Sequence, residues 1–79
     1  MKWPEHISID PSVCNGKACI RGTRVMVSVI LDNLAAGLTA AQITASYPSV
    51  QANDVAAAIA YAADLARDRI VATPVGVAA

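Results

Sequence analysis

The spacing of apolar residues changes period once along this chain, and that change divides it into two parts. Ile7 and Ile9 flank Ser8, the alternation of a short strand, and Asp10 with Pro11 ends it. Asn15 and Gly16 both tolerate positive φ and predict a turn. Gly22, with Arg21 and Arg24 around it, predicts a second tight reversal. Ala18, Ile20, Val25 and Val27 mark short apolar strands between and after these turns, so a small hairpin is expected with Arg21 and Arg24 at its tip. From Val27 the period becomes helical: Val27, Ile30, Leu31 and Leu34 share one face, with Ser28 expected to cap the start. Gly37 stands where a left-handed residue closes a helix, and Leu38 is placed for the accompanying apolar contact.

A second helix starts at a T-x-x-Q capping box, Thr39 and Gln42, with Leu38 and Ile43 able to staple across it. It is brief, because Tyr47 precedes Pro48 and is pushed toward extended geometry. After a turn over residues 48–50, a third helix is expected with Val55, Ala58, Ile59, Ala62 and Leu65 or Ala66 on its apolar face. Asp54 in its first turn and Arg67 and Arg69 in its last suit the helix dipole. The expected fold is mostly α with a small N-terminal β element and a three-helix, helix-turn-helix (homeodomain-like) core. Residues 1–72 form one domain, with the β element over about 7–27 and the helical core over about 28–69; residues 73–79, holding Pro74 and Gly76, read as a frayed tail.

Composition adds a constraint on stability. The chain has 79 residues, is 56% hydrophobic and only 4% aromatic, so much of its apolar content is Ala. A chain of this size buries only about 60–65% of the surface its unfolded state exposes. Two cysteines are too few for a disulfide framework, so association with another chain is the remaining support, and a homodimer or a complex with a partner is expected. Net charge is zero, which excludes a strongly basic nucleic-acid binder and leaves only a local patch or paired copies for any DNA contact. Residues 1–10 carry Lys2, Glu5 and Asp10 and do not form a signal peptide, and the longest apolar run is far too short to span a bilayer. A cytoplasmic protein with no membrane partner is expected.

The candidate chemistry is that of contacts. Arg21 and Arg24 are either a solvated surface pair or an anion- or partner-facing tip, since Arg suits phosphate and carboxylate recognition. The short helix, turn and longer helix have the layout of a helix-turn-helix, in which Gln51 and Asn53 would meet base edges; the alternative is an ordinary helical hairpin with those residues as caps. Asp54 would repel phosphate there. Cys14 and Cys19 have four residues between them and His6 is the only His, too little for a zinc site, so two reduced thiols are expected and no metal or cofactor. Asp64 and Asp68, one helical turn apart, read as a solvated stripe. No nucleophile motif or phosphate loop is visible, so no enzyme is expected.

Two stretches together strongly resemble the bacterial family called domain of unknown function 433. The first runs from Ile9, Asp10 and Pro11 through Cys14, Gly16, Lys17 and Cys19 to Ile20, Arg21, Gly22, Thr23, Arg24, Val25 and Val27. The second runs from Leu34, Ala35, Ala36, Gly37, Leu38 and Thr39 through Ile43 and Tyr47, Pro48, Ser49, Val50 to Asp54, Val55, Ala58, Ile59, Tyr61 and Ala62. The resemblance covers about residues 7–66. It implies a β element followed by a homeodomain-like or winged-helix-like core. It also implies an antitoxin of a type II toxin–antitoxin pair, which binds and neutralises a PIN-like ribonuclease and can repress its own operon through the helix-turn-helix. Arg21, Gly22, Thr23 and Arg24 are then the signature, with Gly22 fixing the turn and the arginines offering partner or DNA contacts. The partner surface would include this tip or the tail after Ile70. The family tends to have Thr as the cap of the third helix and Glu before Asp54, where this chain has Gln51 and Asn53. Gln is a poor cap, so Asn53 is expected to cap and start the helix later. The alternative to the antitoxin is a protein-interaction module with no DNA contact.

Overall fold

Two short strands and three helices form around one small core, as described by a computed structural model covering residues 2–68. Arg69 and the tail after Ile70 lie outside the described residues. A single 3₁₀ turn, Trp3–Glu5, opens the chain and leads into β1, Ile7–Ser8. The Asp10 side chain then accepts bonds from the Ser12 backbone and hydroxyl, and this turns the chain at Pro11. At the next turn Asn15 and Gly16 have positive φ (57° and 80°), as the Asn–Gly pair predicts, and Cys14 before them does too (51°), which the sequence does not signal. β2, Cys19–Ile20, returns antiparallel to β1 with Ile7 opposite Ile20 and Ser8 opposite Cys19.

The expected hairpin is only partly formed. β2 finds its ladder partner in β1, and the segment after Gly22 contributes one bridge, between Cys19 and Met26. Val27 belongs to no strand: it is the first residue of α1, Val27–Ala35. Met26 occupies the cap position with no side-chain cap bond, so Ser28 lies inside the helix and does not cap it. The helix closes as expected. Gly37 has φ 95°, its N–H donates to the Leu34 carbonyl and that of Leu38 donates to Asn33, the paired bonds of a Schellman ending.

α2, Ala40–Ser46, carries the complete capping box: Thr39 Oγ1 accepts from Gln42 N, and Gln42 Oε1 accepts from Thr39 N. It stops at Tyr47, whose backbone leaves the helical region (φ −124°, ψ 85°) ahead of Pro48. α3, Ala52–Asp68, is the longest element. Ile7, Ile20, Val27, Ile30, Ile43, Val50, Val55, Ala57 and Ala58 make the core, so each strand and helix contributes to it. The inward face of α3 is rotated from the expected one. Ala57 is buried, whereas Ile59 and Leu65 are 50% and 45% exposed. Small residues bring α3 close to the core, and its larger apolar side chains remain outside.

Candidate functional site

The second reversal is held by its own signature residues. Gly22 has φ 80°, and a Cβ placed there would meet nothing within 4 Å, so its role is conformational. The Thr23 hydroxyl donates to the Ile20 carbonyl at 2.8 Å and accepts from Val25 N at 3.0 Å, closing the turn from both sides. Arg21 N–H donates to the His6 carbonyl, and its guanidinium donates to the carbonyls of Pro4 and Ile7, each at 2.9 Å. Arg21 therefore folds back and binds the N-terminal segment. This corrects the expectation of two cations offered at a tip. Arg24 is exposed, and among the described residues its side chain has no hydrogen-bond or ion-pair partner.

The start of α3 is also organised from within. Gln51 takes the cap position, with its carbonyl receiving the first helical bonds from Asp54 and Val55. Its side chain is not the cap. Asp54, at the third helical position, reaches back with Oδ2 to Gln51 N at 2.9 Å. That is the return half of a capping box, which satisfies the Gln51 N–H and fixes the entry to the helix with no cap bond from the Gln51 side chain. Asn53 lies inside the helix, which corrects the expected later start. The other carboxylate oxygen, Asp54 Oδ1, is 3.0 Å from His6 Nδ1. His6 thus joins the two candidate regions, with its carbonyl on Arg21 and its ring on Asp54. Gln51 and Asn53 both present exposed side chains on the first turn of α3 beside this carboxylate.

The far end of α3 receives the N-terminal turn. The Trp3 and Tyr61 rings meet edge to face, with centroids 4.8 Å apart, and Trp3 Nε1–H donates to Asp64 Oδ2. Asp64 also pairs with Arg67 one turn on. It is therefore a bonded carboxylate, and the expectation of a solvated stripe fails at this residue. The Trp3 bond, opposed by partial burial and helped by Arg67, holds its carboxyl below the usual range. Periodicity does not reach Trp3 or His6, whose partners lie 61 and 48 residues away. The available signal is that the only Trp stands in an otherwise polar segment, where a large ring needs a surface to cover it.

Between the strands, α1 and the second half of α3 lies an open groove of about 400 Å³. Ile9, Leu31, Tyr61 and Leu65 give it apolar sides, and Gly16, Lys17 and Ala18 line it from the turn before β2. Ile9 is 58% exposed, so two large aliphatic side chains, Ile9 and Leu65, face solvent in one concavity. Cys14 and Cys19 bracket the Gly16, Lys17 and Ala18 wall. Among the described residues, no three His, Cys, Asp or Glu side chains are grouped to hold a metal ion, and no helix is long and apolar enough to cross a membrane.

Comparison with known proteins gives a family. Residues 7–62 match the family described as protein of unknown function (DUF433). A solved structure of similar shape is the crystal structure of a DUF433 member protein from Anabaena variabilis ATCC 29413. It is 34% identical, with a TM-score of 0.72 over 78% of this chain, and this chain covers 61% of that protein's length. No curated protein matches.

Proposed function

We propose, from the premise that this chain belongs to the DUF433 family, that it is the non-catalytic antitoxin of a type II pair, binding and neutralising a PIN-like ribonuclease. The ribonuclease is taken from the sequence resemblance. The observation that carries partner binding is the groove, where Ile9 and Leu65 stay exposed although the chain has few large apolar residues to bury. A concave apolar surface with adjoining polar residues is the form that protein recognition takes. Arg24, the signature cation left unengaged, can meet an acidic group of the partner. Self-association as a homodimer belongs to the same reading, since it supplies the apolar cover that a thin core lacks.

The test is co-expression with a PIN-like ribonuclease encoded beside this chain, followed by an RNA-cleavage assay. The wild-type chain should suppress cleavage. Leu65→Asp, an exposed position, should keep the fold and weaken binding by about 2–3 kcal/mol, a factor of roughly 30–150. Equal suppression by both would remove the groove from the proposal, and no suppression by either would remove the antitoxin.

Operator binding is a second reading, favoured by the exposed Gln51 and Asn53 on a helix that follows a short helix and a turn. The Asp54 carboxylate at the same place works against it. A gel shift on upstream DNA at low salt, weakening as salt rises, would support this reading. Without retardation at micromolar protein, the module makes protein contacts alone.

A further inference from the structure

Cys14 and Cys19 stand against the same short segment. The Cys14 thiol donates to the Arg24 carbonyl at 3.5 Å, while Cys19 is bridged to Met26, two residues further along. The left-handed run at Cys14, Asn15 and Gly16 folds the intervening loop back, so that Cys14 and Cys19 are neighbours against the one segment from Arg24 to Met26. The two sulfurs differ in access. Cys14 is half-buried and Cys19 is fully buried. Burial first, then the neighbouring Cys14 thiol, pushes the Cys19 thiol up to about 11, so Cys19 is a poor nucleophile toward anything arriving from solvent.

We propose that Cys14 and Cys19 form a peroxide-sensitive pair that closes to an intramolecular disulfide and so alters the wall of the groove. Cys14, as thiolate, attacks one oxygen of the peroxide. The O–O bond breaks, Cys14 becomes a sulfenic acid, and the other oxygen leaves with a proton as water or alcohol. The Cys19 sulfur then attacks the Cys14 sulfur. The S–O bond breaks, and the hydroxyl leaves as water with the Cys19 proton. Two thiols have lost two electrons and two hydrogens, and the peroxide has been reduced. Buried Cys19 acts as the resolving thiol because its target is generated next to it. The new bond closes a loop over Gly16, Lys17 and Ala18, the residues that line the groove from that side.

The test uses the full chain, reduced, then treated with hydrogen peroxide in modest excess. Intact mass and thiol titration after denaturation are the readouts. The expected result is joint loss of both thiols, a mass lower by two hydrogen atoms, no covalent dimer, and full reversal by dithiothreitol. Cys14→Ser, at the half-buried position, should leave the Cys19 thiol unreactive in the folded chain. Gain of two or three oxygens at Cys14 with Cys19 still free would overturn the proposal, as would disulfide-linked dimers or no thiol loss. Fluorescence of an apolar dye should differ between the reduced and oxidised chains, and identical spectra would overturn the link to the groove. None of these readouts needs a ribonuclease, so the pair stands or falls separately from the antitoxin.

Discussion

Arg21 offers the sharpest separation between a residue that recognises a partner and one that holds the fold. Replacing it with Ala removes two charge-assisted hydrogen bonds, to the carbonyls of Pro4 and Ile7, both at 2.9 Å. A hydrogen bond to a charged group contributes about 1.5–3 kcal/mol when shielded. Here the Pro4 bond is exposed and the Ile7 bond partly buried, so water replaces much of both. A combined loss on the order of 1–3 kcal/mol follows. For a domain of this length, whose whole stability is about 4–12 kcal/mol, that is a substantial share. Each kcal/mol moves the melting temperature by about 4–8 °C in a domain of this class. Thermal and urea melts followed by far-ultraviolet circular dichroism should therefore place Arg21→Ala well below wild type. Arg24→Ala should stay within about 0.5 kcal/mol of wild type, because its exposed side chain makes no hydrogen bond or ion pair among the described residues. Amide exchange should locate the damage, accelerating at Arg21 N–H, whose acceptor is His6 O. Equal melting temperatures for the two variants would refute the structural role of Arg21 and return it to the surface.

Two further outcomes follow from local geometry. Gly22→Val should destabilise by at least ~1–2 kcal/mol, the ordinary cost of a left-handed residue with a Cβ; since the added Cβ meets nothing, an unchanged urea midpoint would mean the turn is not left-handed. Trp3 should report acid loosening through its fluorescence. The Asp64 carboxyl is depressed in the folded chain below its usual 3.8, chiefly by the Trp3 N–H, so its contribution is fully present above that value and is lost as pH falls through the folded one. Emission should move to the red only below about pH 4, and Asp64→Asn should weaken that step; a transition near neutrality would identify another group.

The parts of this fold that could be read in advance are those whose cause is local. Thr39, Gln42 and the Tyr47–Pro48 pair act within a few residues of themselves, and the structure places them as the spacing predicts. Gly37 is similar, because a left-handed closure needs nothing from elsewhere in the chain. The structure departs from the local signals where two of them compete. Ser28 is a good cap residue, but the bridge from Cys19 to Met26 carries the extended segment right up to Val27 and starts the helix there. At the third helix Asp54 binds the Gln51 N–H from inside the helix, and this fixes the entry one turn ahead of Asp54 despite the weak capping preference of Gln51. The face of α3 keeps the expected Val55 and Ala58 but takes Ala57 in place of Ile59, because periodicity weighs Ile above Ala whereas close approach to the core selects the smaller side chain. The groove and the His6 link were illegible for another reason: they are made by residues far apart in sequence, and no period encodes them.

The contact between Trp3 and the last turns of α3 sets an order on biosynthesis. The indole emerges from the ribosome with nothing to rest on, and its acceptor Asp64 follows 61 residues later. At typical elongation rates that is a delay of about 3–12 s. Arg21, by contrast, bonds the carbonyls of Pro4 and Ile7 across only 17 and 14 residues, so the nearer tie on the N-terminal segment is complete in the nascent chain well before the aromatic one.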